Sequence, residues 1–198
     1  MTYEMYPALI ALAIGTLFTP GPNNVMLAAS GANFGVRRTV PHLLGVATGF
    51  PLMLLIVGLI LGELFQASAL LRETLRWGGA ALLLWIAWRI ASAGGIGSKS
   101  GRVRPMSFMQ AVGFQWINPK AWSMAIAATS QFILPSAPLV TAAIVAATFL
   151  TLGLGSATTW TCAGQAIARW LTTARRLRFF NIAMAALIVL SVLELLRH

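Results

Sequence analysis

The sequence predicts an all-α integral membrane protein. Six transmembrane helices are expected, as two inverted three-helix repeats, with helices 1 and 4 broken at mid-membrane. Three observations predict this. First, the chain of 198 residues is 58% hydrophobic and only 9% charged, with a mean hydropathy of +0.81. Soluble domains carry about 25% charged residues, so this composition belongs in a bilayer. Second, the charges lie in short clusters between apolar runs. Third, two apolar runs are too long for simple spans, and each is interrupted midway by proline and asparagine.

The elements follow in order. A span needs about 20 apolar residues. Segment one runs from about Met5 to Phe34 and contains "TPGPNN"; segment two covers His42 to Gly62; segment three covers Leu70 to Ala91. Segment four runs from Met106 to Leu134 and contains "QWINPKAW"; segment five covers Leu139 to Ala163; segment six covers Phe179 to Leu196. The N-terminus does not read as a signal peptide. Its only early charge is Glu4, whereas a signal peptide starts basic.

The connections sort by charge. Arg37 and Arg38 follow segment one; Arg89, Lys99, Arg102 and Arg104 lie at the end of segment three and in the loop after it; Arg169, Arg175, Arg176 and Arg178 follow segment five. The opposite side holds Arg72, Arg76 and Arg197. Cytoplasmic loops carry the excess of Lys and Arg, so the odd-numbered loops are expected inside and both termini outside. The net charge of +10 is therefore read as an orientation signal. No large polar domain exists to hold nucleic acid.

Pro22 and Pro119 are 97 residues apart, and segments two and five begin 97 residues apart. The spacing predicts repeats over about 1–98 and 104–198, within one transmembrane domain. Three helices is an odd number, so the second copy is upside down. Paired interrupted segments in matching positions are the best sequence pointer to a transporter site.

Asn is a good N-cap and Pro fits the first helical position. Asn118-Pro119 therefore restarts segment four, and Gly21-Pro22 restarts segment one. Two half-helix N-termini converge on the midplane, each with partial positive charge and unpaired N–H groups. Lys120 adds a full charge. About 14 residues separate it from either end of its segment; at about 1.5 Å per residue that is roughly 20 Å, too far to snorkel. Such a pocket suits a carboxylate. The C-terminal carbonyls of the first half-helices, near Thr19 and Ile117, suit an ammonium. A small zwitterionic amino acid needs both. The candidate substrate-binding residues are Pro20, Gly21, Pro22, Asn23, Asn24, Gln115, Asn118, Pro119 and Lys120. The duller readings are a proline kink without a ligand, and a lysine that only satisfies local carbonyls.

Gly45-x-x-x-Gly49 and Gly58-x-x-x-Gly62 let helix two approach a neighbour closely. Helix packing is the default; a homodimer contact is the alternative. Trp116 and Trp122 flank the second break as pocket wall or core. His42 is read as interfacial, with titration during transport as the alternative, and Cys162 as an inert packing residue. "GGIGSKSG" (94–101) lacks the spacing of a phosphate loop and reads as a linker. There is no HExxH, GxSxG or cysteine cluster. No catalytic site, metal site or cofactor is expected.

The stretches "FTPGPNNVMLAASGANFGVRR", "GVATGF", "LRWGGAALLLWIAWRIA", "FQWINPKAW" and "FILP", in this order, resemble the lysine/homoserine exporter (LysE/RhtB-type) family of bacterial amino-acid exporters. "PMSFMQAVGFQWIN" and "FNIAMAALIVL" look closest to its cysteine/O-acetylserine branch. The resemblance covers essentially the whole chain. It implies efflux of amino acids or derivatives across the inner membrane, coupled to the proton gradient. Its Pro-Gly-Pro-Asn element falls on Pro20 to Asn23, and its Asn-Pro-Lys element on Asn118 to Lys120. Leu83 stands where many members have tyrosine, which leaves the substrate open. A membrane scaffold and a passive channel are the competing readings.

Overall fold

A computed structural model describes residues 5–61, 68–92 and 104–197. Among them every regular element is helical. Helix α1 is Met5–Leu17 and α2 is Pro22–Phe34. Helix α3 is Val36–Ile56, continued by a π-helical turn at Val57–Leu61. Helix α4 is Ala69–Ala91, α5 is Phe108–Gln115, α6 is Pro119–Phe132, α7 is Pro138–Ala168 and α8 is Ala174–Arg197.

Three helical stretches are long and apolar enough to cross a bilayer: Val36–Ile60, Pro138–Ala168 and Ala174–Leu193. Helices α1 and α2, bent by 55° at their break, make a fourth crossing if taken as one span. Helix α4 carries Arg72, Glu73, Arg76 and Arg89 in its sequence, and α5 with α6 form a second interrupted pair. The outer surface is greasy. Leu70, Leu139, Phe179, Trp170 and Ile60 are all strongly exposed, as suits a face turned to lipid.

Close approach of helices explains the small residues. A Cβ on Gly45 would lie 2.5 Å from the Phe108 carbonyl, and one on Gly49 would lie 2.9 Å from Val112 Cα. This pair thus seats α3 on α5. Gly58 faces Thr129 and Ile133 at the end of α6. All three glycines are used in packing within the chain. Gly62 lies outside the described residues, as does 94–101. A tighter crossing was not expected. Gly31 of α2 lies against the Thr161 carbonyl of α7, and Gly164 of α7 lies against the Ala28 carbonyl of α2.

Two expectations are corrected here. Helix α3 begins at Val36, directly after Gly35, whose φ of +76° favours glycine. His42 is therefore well inside the helix and only 2% exposed, not interfacial. Cys162 is exposed on α7 rather than packed. Trp122 joins the core around Leu9, Phe50 and Phe149 and meets Trp116 edge to face at 6.0 Å, which is the packing alternative. Trp77, Trp85, Trp88 and Trp170 are exposed.

Candidate functional site

The chain breaks its helices in two different ways. At the second break, α5 closes with local turns. Trp116 and Ile117 N–H donate three residues back, and Asn118 N–H donates to the Phe114 carbonyl. Asn118 then caps α6: its Oδ1 accepts from Lys120 N–H at 3.1 Å, with Pro119 in the first turn. Asn118 is buried, with φ −85° and ψ 109°. An Asn-Pro pair folds this way because the amide replaces a missing acceptor and proline lacks the N–H that would need one.

At the first break local groups close only part of the gap. Pro20 has no N–H, and Gly21 at the N-cap of α2 has no side chain to bond the α2 amides. The carbonyls that end α1 are satisfied from elsewhere. Asn24 Nδ2 donates to the Leu17 and Thr19 carbonyls at 2.7 and 2.8 Å. Ser156 Oγ of α7 donates to Leu17 at 2.7 Å. Lys120 Nζ donates to Thr19 Oγ1 at 3.0 Å, the Pro20 carbonyl at 3.3 Å and the Thr19 carbonyl at 3.4 Å. Lys120 thus crosses from the second break to the first. A Cβ on Gly21 would lie 2.8 Å from its Nζ, so glycine is needed for space. Its φ of −176° is extended backbone open to any residue.

A second link joins the breaks. Asn23 Nδ2 donates to Gln115 Oε1 at 2.8 Å, and Gln115 Nε2 returns a bond to Asn23 Oδ1 at 3.3 Å. Gln115 is fully buried and also donates to the Ala111 carbonyl. A buried amide pair this complete is stable because each group meets a partner.

A small half-open cavity lies between the breaks. Of the expected site residues, Gly21, Asn23, Asn24, Asn118 and Lys120 line it. Pro20, Pro22, Gln115 and Pro119 do not; Pro20 and Gln115 stand one bond behind, through Lys120 and Asn23. Sequence reasoning missed Thr16 and Ser156, and the Phe50 and Phe149 walls, whose rings meet edge to face at 5.4 Å. Ser156 had one weak signal, a small hydroxyl within the glycine-rich "LGLGSATT" of an apolar run.

The carbonyls expected to take an ammonium have partners within the chain. The carbonyls near Thr19 are covered by the chain's own Lys120, Asn24 and Ser156. The Ile117 carbonyl packs against Gly79 of α4. No group of three or more His, Cys, Asp or Glu gathers to hold a metal among the described residues.

Interrupted helices around a cavity that holds a lysine and three asparagines, inside an apolar exterior, define the class: a membrane protein with an internal cavity. The chain belongs to the LysE type translocator family, whose profile matches residues 14–198. Family members of this kind are transporters and not enzymes. The chain is 35% identical over 136 residues to a cysteine/O-acetylserine efflux protein of Klebsiella pneumoniae, covering 68% of each chain. It is 30% identical to one of Salmonella choleraesuis over 170 residues, 85% of this chain and 87% of the other. It is also similar to a homoserine/homoserine lactone efflux protein of Salmonella typhimurium, 29% identical over the full length of both. No solved structure matches the chain.

Proposed function

We propose that this protein is a secondary transporter that exports small neutral amino acids or their derivatives across the bacterial inner membrane. Cysteine, O-acetylserine and homoserine, the solutes in the relatives' names, are the first candidates. Transport is coupled to the proton gradient and proceeds by alternating access. Both termini face outward, and the two halves, about 1–98 and 104–198, are inverted repeats whose broken helices meet at the substrate.

The observation that carries this reading is Lys120, held on the exposed carbonyls of the first break beside an uncapped α2 N-terminus. Lys120 holds the position that a substrate ammonium would take. A zwitterion exchanges with it. Its carboxylate draws the lysine away and settles toward the amides that open α2, where the helix dipole also favours an anion. Its ammonium then takes the Thr19 and Pro20 carbonyls that Lys120 released. Asn24 Oδ1, which no bond described above consumes, orients the remaining polar group. The Phe50 and Phe149 walls favour a short side chain.

The experiment is release from cells. Overexpressing cells are loaded with mixed dipeptides, and the medium is profiled by mass spectrometry against a vector control. The expected result is selective release of one or a few small amino acids, lost on collapsing the proton gradient. Release that persists without a gradient at equal rate supports a passive channel. No release from cells with the protein in the membrane supports a scaffold.

A further inference from the structure

The inner face of α3 carries a stripe of buried polar groups leading from its basic end toward the cavity. At the start, Val36 N–H donates to Gln165 Oε1 of α7. One turn on, Thr39 is fully buried; it donates to the Gly35 carbonyl at 2.9 Å and shares a 3.0 Å hydrogen bond with Ser30 of α2. Next comes His42, 2% exposed, with no hydrogen-bond partner on either ring nitrogen. One turn beyond it, Val46 and Ala47 line the cavity. Positions 39, 42 and 46 are three and four apart and so share one helix face.

A neutral imidazole has one donor and one acceptor, and burying both without partners is unfavourable. A leucine of similar size would avoid that loss. The imidazole therefore calls for a role other than packing. Helices α2, α5, α6 and α7 pack against α3. Their sequences hold no carboxylate; their only charged or titratable side chains are Lys120 on α6 and the exposed Cys162 on α7. On α3 itself Arg37 and Arg38 are exposed, and Arg104, just ahead of α5, is exposed as well. Besides the half-buried Lys120, His42 is thus the one titratable side chain shielded from solvent on the described helices that pack here.

We infer that His42 is the proton-binding residue of the transport cycle; this rests on the proton-coupled export proposed above. The proton adds to a ring nitrogen lone pair on the proton-rich side and leaves from the imidazolium on the other, with no other bond made or broken. The two ligands exclude one another through charge. An imidazolium one turn from the cavity wall adds a second positive charge to that of Lys120, which disfavours a substrate ammonium in the same state. Binding of solute and of proton therefore alternate, which is what exchange requires.

The sequence makes a direct test simple, because His42 and His198 are its only histidines. His198→Ala protein, labelled with ¹⁵N-histidine and held in lipid nanodiscs, reports His42 alone by NMR. Spectra are taken from about pH 3 to pH 8, reaching well below the usual histidine range, with and without cysteine, O-acetylserine or homoserine. The expected result is a ring that titrates in this range, with saturating solute changing its protonated population about tenfold at fixed pH. In parallel, His42→Leu in proteoliposomes should still exchange solute across the membrane without a gradient. It should lose gradient-driven efflux by at least about tenfold. A ring locked in one protonation state, with or without solute, overturns the inference, as does gradient-driven efflux at the wild-type rate in His42→Leu. The NMR reading needs no change at position 42, so it decides even where that variant fails to fold. Normal wild-type exchange with a silent His42 sinks only this inference. Absence of solute exchange in the wild type sinks the transport reading and this one together.

Discussion

The two helix breaks look alike in the sequence, each a proline restart beside asparagine, yet they are held together in opposite ways. The second is closed by its neighbours: turns onto Gly113 and Phe114, and a cap from Asn118 two residues away from the amide it serves. The first is closed by nearby Asn24 and also from a distance, by Lys120 from about 100 residues along the chain and by Ser156 from 139. Local caps make a rigid element. Remote side chains can be exchanged for a ligand's groups. In the proposed cycle the second break serves as scaffold and the first as binding site, with Lys120 as the side chain that reaches both.

Removing the shared residue should break the comparison outright. Lys120→Met leaves the first break without its cation and the substrate carboxylate without a partner. Hydrogen bonds to a charged group contribute about 1.5–3 kcal/mol, so transport in the efflux assay should fall by roughly 10- to 100-fold or more. Immunoblots of membrane fractions should show wild-type amounts of protein. Gly21→Ala tests the same contact more gently. The added Cβ meets the flexible end of Lys120, so the ammonium shifts while the fold stands. Efflux should drop by about tenfold, or about 1.4 kcal/mol, with thermal unfolding little changed.

The second break should respond in stability rather than affinity. Asn118→Ala removes the α6 cap and should cost about 1 kcal/mol, read as a lower unfolding midpoint in detergent; Asn118→Asp, which keeps the acceptor, should restore most of it. Ser107→Ala sets the baseline. Ser107 and Gln110 form a capping box at the exposed start of α5, so its loss should lower stability by about 0.5–1 kcal/mol and leave efflux unchanged.

The helices were legible because hydropathy and proline position act over short stretches. Each expected apolar segment overlaps a helix or an interrupted pair, and both breaks fall at the prolines. The pairings across the cavity were not legible. Nothing in the spacing of Asn23 and Gln115 tells that their amides meet, nor which carbonyls Lys120 reaches, because these contacts depend on how whole helices pack. His42 was misplaced for a related reason. Hydropathy ends a segment at Arg37 and Arg38, but the backbone stays helical back to Val36 and only Gly35 stops it. Gly31 and Gly164 went unnoticed because a crossing needs only one small residue on each helix, and one glycine makes no pattern. Inverted symmetry and membrane orientation were read from spacing and charge, and they enter the account only through the proposed cycle.

The central claim is that a small zwitterion exchanges with Lys120 at the first break. Ligand-induced thermal stabilisation tests it most directly, because it reads binding without needing flux. Purified wild-type protein and Lys120→Met are heated with and without cysteine, O-acetylserine and homoserine, each in turn. The account predicts that at least one solute raises the wild-type midpoint while Lys120→Met, folded and with its own clear transition, shows no shift. Equal stabilisation of both proteins would contradict it and move the binding site away from the first break.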